Sequence, residues 1–122
     1  MSGTTEKVDR FFARYGMALL ARDAGALARM YAVPGLILFP GQSIVVTERA
    51  QTQAFFESAF GQYAGVNELD RYIAIAAATP SSVWADVTWS WHDEPRERFM
   101  YQLVNGGEGY EIAVLTRMPV VG

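Results

Sequence analysis

A change of hydrophobic period near the middle of the chain constrains its fold more than any other feature. From Val8 to Tyr63 the apolar residues recur at helical spacings of three and four. From Leu69 to Met118 four consecutive runs read as strands. Amphipathic helices that precede an antiparallel meander must bury their apolar stripes against one face of that sheet. One favoured solution is a curved sheet with helices folded across its concave side, enclosing an apolar pocket. A single core is expected for 122 residues, so 1–122 reads as one α+β domain.

The first helix is expected to start after Thr4 or Thr5, whose hydroxyls can cap free backbone N–H groups. Its stripe is Val8, Phe11, Phe12, Tyr15 and Leu19, closed by Arg22 as a cation suited to a helix C-terminus. Gly16 costs this helix roughly 1 kcal/mol relative to alanine, which marks it as a point of close packing. Asp23 reads as the N-cap of a second helix, Ala24 to Tyr31, that buries Leu27, Met30 and Tyr31. Pro34 and Gly35 end it. A short strand, Leu36 to Phe39, is turned by Pro40 and Gly41, and Ile44 to Val46 forms a brief edge strand. Thr47 and Glu48 open a third helix that reaches Gly61 or Tyr63, with Phe55, Phe56, Ala59, Phe60 and Tyr63 on its apolar side.

In the second half, Arg71 to Thr79 is a strand rich in isoleucine and alanine, stopped at Pro80. Val83 to His92 alternates sharply. Val83, Ala85, Val87, Trp89 and Trp91 share one face; Trp84, Asp86, Thr88, Ser90 and His92 share the other. Asp93 to Pro95 turns the chain into a strand from Arg98 to Val104, and the glycines of residues 105–109 supply a hairpin loop. On the last strand, Tyr110 to Met118, the continuous inward parity is Tyr110, Ile112, Val114, Thr116 and Met118.

Composition removes several function classes. The chain has no cysteine, which excludes disulfides, thiolate nucleophiles and cysteine metal sites. The net charge is −3 and the basic residues are scattered along the sequence, so a nucleic-acid surface is not expected. No polybasic tract points to a membrane surface. The first five residues lack the apolar core of a secretion signal, so a cytoplasmic location is the expectation. Gly106, Gly107 and Gly109 lie between strands, without the helix that phosphate cradling needs. His92 is the single histidine, and a metal site would need further ligands converging on it. No metal and no cofactor is therefore expected.

The segments FFARYGMALLARDAGALARMYA, LILFPG, TERAQTQAFFESAF and YQLVNGGEGYEIAVLTR, in this order and spacing, resemble the nuclear transport factor 2-like superfamily. That group includes ketosteroid isomerases, scytalone dehydratase and SnoaL-like cyclases. The resemblance covers roughly Val8 to Met118. It implies a cystatin-like cone, with three N-terminal helices packed on a strongly curved antiparallel sheet, and a homodimer formed through the outer sheet face. Trp84, Ala113, Leu115 and Arg117 would then meet the second subunit. It also implies that Tyr15 matches the tyrosine that donates to substrate oxygen in the isomerases, and Tyr31 a second pocket tyrosine. The general-base position falls on Phe39, which cannot accept a proton. A third tyrosine position falls on Phe56, and a second acidic position falls near Met100. Steroid isomerisation is accordingly disfavoured.

Two readings of Tyr15 stand side by side: a hydrogen-bond donor at the base of a pocket, or a core tyrosine bonded to a neighbour such as Tyr31. The leading functional expectation is a protein that binds a small, largely apolar ligand, with Phe12, Tyr15, Tyr31, Phe39, Phe56, Trp89 and Trp91 as the lining. One alternative is a lyase, isomerase or cyclase that pairs Tyr15 with Asp86 or His92. That needs one of those groups inside the pocket, although solvent or an arginine is the more ordinary partner for Asp86. A second alternative is a dimeric interaction module whose pocket is filled by its own side chains.

Overall fold

A computed structural model describes residues 2–120; Met1, to which part of the reading of the N-terminus applies, lies outside the described residues. In chain order the elements are α1 (Ser2–Leu20), α2 (Ala24–Arg29), β1 (Tyr31–Phe39), β2 (Gln42–Val46) and α3 (Arg49–Ala59). A 3₁₀ turn (Phe60–Tyr63) leads to β3 (Asp70–Ala78), β4 (Ser82–Trp91), β5 (Glu94–Asn105) and β6 (Tyr110–Met118). The strands form one sheet in the order β2-β1-β6-β5-β4-β3. All neighbours are antiparallel except β1 and β6, which run parallel. The helices cover one face of it. Val8, Phe11, Phe12, Tyr15 and Leu19 of α1 share a single core with Leu27, Phe56, Val87, Trp89, Tyr101 and Leu103.

The helical stripes fall where the sequence puts them, but several boundaries move. α1 runs through Thr4 and Thr5 instead of being capped by them. Each residue added to the helix gains a backbone bond, which offsets the low helix propensity of Gly3, Thr4 and Thr5. Asp23 does cap α2, its Oδ1 accepting the Ala26 N–H at 3.0 Å. α2 stops at Arg29, however, because Ile112 N–H donates to Met30 O at 2.8 Å and draws the chain into the sheet. Tyr31 is thus the first residue of β1, and Pro34 and Gly35 lie within that strand. Arg22 adopts a left-handed backbone (φ 53°), and its guanidinium donates to Leu20 O at 2.9 Å as well as to the carbonyls of Tyr63 and Val66. A cation here satisfies the free carbonyls of the helix end.

One irregularity bends the sheet. Leu103 pairs with Ile112 and Gln102 with Val114, which leaves Ala113 as an extra residue on β6. Across the other edge of β6, Tyr31 pairs with Ile112 and Leu36 with Val114, so β1 bulges at the same level. Gly35 occupies that bulge; a Cβ there would lie 2.8 Å from Ala32 O and 3.0 Å from Ala113 O. A bulge bends its strand and reverses the alternation beyond it. The expected inward parity therefore holds only for Tyr110 and Ile112. After Ala113 it is Leu115 (3% exposed) and Arg117 that face inward, while Val114 and Thr116 pair with outward Gln102 and Met100. Leu115 and Arg117 consequently leave the outer surface on which a subunit contact was expected. Trp84 stays there, half-buried.

The β4–β5 turn also shifts. His92 and Asp93, both with positive φ (55° and 60°), form it, and Glu94 already pairs with Trp91. A further bulge at Arg96 then sets Glu97 opposite Trp89.

Two glycine substitutions separate close approach from mere helix weakening. Gly35→Ala meets backbone oxygens that cannot swing away, and should lower stability by about 1–3 kcal/mol in urea unfolding. Gly16→Ala adds a methyl 3.4 Å from the Trp89 ring, an ordinary contact. It should raise stability by roughly 0.5–1 kcal/mol in the same measurement.

Candidate functional site

A cavity of about 260 Å³ lies between the helices and the inner sheet face. α1 contributes Tyr15 and Leu19; α3 and the 3₁₀ turn contribute Phe55, Phe56, Ser58, Ala59, Gln62 and Tyr63. The sheet contributes Phe39, Gln42, Trp89, Glu97, Phe99, Tyr101 and Leu115. Gln42, Ser58 and Gln62 are exposed and mark the mouth. An apolar void of about 150 Å³ accepts a benzene molecule, so this space suits a substituted ring.

Of the expected lining, Tyr15, Phe39, Phe56 and Trp89 face the cavity. Phe12, Tyr31 and Trp91 stand one layer behind. Phe12 is fully buried against Tyr101, with ring centroids 4.8 Å apart. Tyr31 lies behind Tyr15 and shares a hydrogen bond with it, Oη to Oη 2.6 Å. Trp91 packs on Tyr63 at 5.6 Å. Tyr15 thus has the neighbour for its hydroxyl that the core reading expects, and its side chain also borders the cavity.

The expected lining holds no carboxylate, but the observed one does. Glu97, at the start of β5, borders it and is 6% exposed. Tyr63 Oη donates to Glu97 Oε1 at 2.5 Å, and Arg117 Nη1 lies 3.6 Å from Oε2. Arg117 also sits over Phe99 and Phe39, 5.3 and 5.9 Å from their ring centroids. The bulge at Ala113 creates this cluster, because without it Arg117 would point out of the barrel-like curve. Residue parity alone held a signal for Glu97, which alternates in register with Phe99, Tyr101 and Leu103. Reading the strand as starting at Arg98 hid it.

The proposed proton-transfer partners of Tyr15 do not reach the cavity. Asp86 lies on the outer face, held by Arg98 through two bonds, Nε to Oδ1 at 2.9 Å and Nη2 to Oδ2 at 2.6 Å. His92 is exposed in the β4–β5 turn. Met100, near the expected second acidic position, pairs with Asp86 on that same outer face. Among the described residues, no three acidic or histidine side chains are grouped to hold a metal, and no helix is long and apolar enough to cross a membrane.

The site's phenols are all held neutral. Burial pushes Tyr15, Tyr31 and Tyr101 upward from the ordinary value of 10.0, and neighbouring tyrosines reinforce this for Tyr15 and Tyr101. Burial also raises Tyr63, and the negative charge of Glu97 adds to it. Each of these phenols binds its proton more tightly folded than unfolded. Their contribution is complete below pH 10 and is lost as pH rises toward the folded values. An absorbance titration at alkaline pH should therefore show these four tyrosines ionising together with loss of near-ultraviolet circular dichroism. Gradual ionisation in a chain that keeps its dichroism would contradict the buried assignment.

No family model matches the chain, and no curated protein matches it. Solved structures do. A domain of unknown function with a cystatin-like fold from Nostoc punctiforme PCC 73102 superposes with a TM-score of 0.72 at 13% identity, over 100% of this chain and 80% of that one. A nuclear transport factor 2-like protein of unknown function from Shewanella oneidensis MR-1 gives 0.71 at 12% identity, over 93% and 98%. ActVI-ORFA from Streptomyces coelicolor gives 0.68 at 19% identity, over 95% and 96%. The chain has the cystatin-like α+β fold of nuclear transport factor 2-like proteins. Identities this low speak to fold and not to activity.

Proposed function

We propose that this protein binds a small, largely apolar ligand in the cavity between its helices and its sheet. One observation carries the reading: a space of about 260 Å³, walled mainly by Tyr15, Leu19, Phe39, Phe56, Trp89 and Phe99, which its own side chains leave open. Apolar enclosure supplies affinity, and the few polar groups supply orientation. Several neighbours in fold are themselves of unknown function, which leaves the ligand to be argued from the cavity.

A second reading, an enzyme of the lyase or isomerase kind, is favoured by Glu97. This carboxylate borders the same cavity as Tyr15 and replaces Asp86 and His92 as the group able to exchange a proton with a bound molecule.

Titration calorimetry with single-ring apolar compounds tests both. The binding reading expects saturable one-to-one uptake that Ala59→Phe, which narrows the cavity, weakens by roughly ten-fold or more. Absence of saturable uptake by any such compound would refute it. If a compound that binds is also converted, Glu97→Gln should abolish conversion and keep binding; conversion that survives the substitution removes the enzymatic reading.

A further inference from the structure

The cavity's polar groups differ in what they can still bond. Trp89 Nε1–H donates to Tyr101 Oη at 2.9 Å, so the indole fixes the phenol oxygen as an acceptor. Tyr101 is 1% exposed, and its own hydroxyl proton has no acceptor among the described residues. Tyr15 and Tyr31 share one hydrogen bond, which uses one of their two protons. Burial keeps all three phenols protonated. The part of the cavity around Tyr101 therefore offers a proton. A buried donor left without a partner is costly, so this end fits an acceptor.

The Glu97 end has the opposite character. A carboxylate is an acceptor only, with room for about four hydrogen bonds. Oε1 receives one from Tyr63, and the 3.6 Å to Arg117 is an ion-pair separation rather than a hydrogen bond. Arg117 already balances the charge, so the group that meets Glu97 need carry none. Glu97 and Tyr101 sit four residues apart on one face of β5, on the order of 13 Å between their α carbons. Phe99 lies between them on that face. A molecule that touches both ends must carry its polar groups at opposite ends of an apolar body.

We infer that the ligand is a ring compound of two-ended polarity, with a carbonyl-type oxygen held by Tyr101 and a neutral hydroxyl or N–H group held by Glu97. The inference rests on the reading that the cavity binds a ligand at all. It names the class of molecule the cavity selects.

Four probes of nearly one size separate the two claims: ethylbenzene, acetophenone, para-ethylphenol and para-hydroxyacetophenone, titrated calorimetrically. The expected order puts para-hydroxyacetophenone about five-fold or more ahead of either singly substituted probe, and both of those ahead of ethylbenzene. Tyr101→Phe should erase the advantage of the ketone and keep that of the hydroxyl; Glu97→Met should do the reverse. The wild-type order stands as a test by itself if either variant fails to fold. Probes that bind within two-fold of one another overturn the inference and leave the binding reading intact. So does a singly substituted probe that matches the hydroxy ketone, or an order that both folded variants preserve. If no probe binds, ethylbenzene included, both claims fall.

Discussion

The inner surface of this molecule depends on one extra residue. Ala113 has no register partner on β5, and the strand beside it yields at Gly35, where the two backbones approach too closely for any side chain. The local bend curves the sheet around the helices and reverses which side chains of β6 look inward. Leu115 then becomes part of the cavity wall, and Arg117 comes within 3.6 Å of Glu97. A regular β6 would have put Val114 and Thr116 in those places. The acidic residue would then face an apolar interior with only Tyr63 for company, a poor environment for a charge.

Around that frame the aromatic rings form a continuous layer rather than isolated contacts. Tyr15 touches Phe12, Tyr31, Phe56, Trp89 and Tyr101, with ring centroids between 5.8 and 6.4 Å away. Such pairs add about 0.5–1.5 kcal/mol each beyond the area they bury. The hydrogen bonds Tyr15–Tyr31 and Trp89–Tyr101 satisfy polar atoms that burial would otherwise penalise. The same rings make the core and the cavity wall, so the site's geometry is as fixed as the core itself.

Much of this was legible in the residues. Helical stripes, the Asp23 cap and the sharp alternation of β4 follow from local spacing, and local spacing survives into the structure, whereas the pairing of Tyr15 with Tyr31 was suggested by the family resemblance. The parts that did not follow are tertiary. Ala113 becomes a bulge because Gly35, far away in sequence, lies against it. β1 extends back to Tyr31 because β6 supplies a partner at Ile112. Glu97 was missed because the strand was read as starting at Arg98, one residue past it, whereas β5 begins at Glu94 and carries Glu97 on the face of Phe99 and Tyr101. His92 and Asp86 were singled out by residue type, although the alternation of β4 already set both on the face opposite Trp89, where Asp86 meets the arginine expected for it.

Arg22 gives the entrance two unlike sides. Its guanidinium fastens the end of α1 to the carbonyls of Tyr63 and Val66, at the end of the turn that carries Gln62 and just beyond it. The facing lip, Pro40 to Gln42, is exposed and is fixed only through the β1–β2 register. The two sides of the mouth are therefore held by different means, backbone oxygens gathered by one guanidinium on the helical side and a strand pairing on the other.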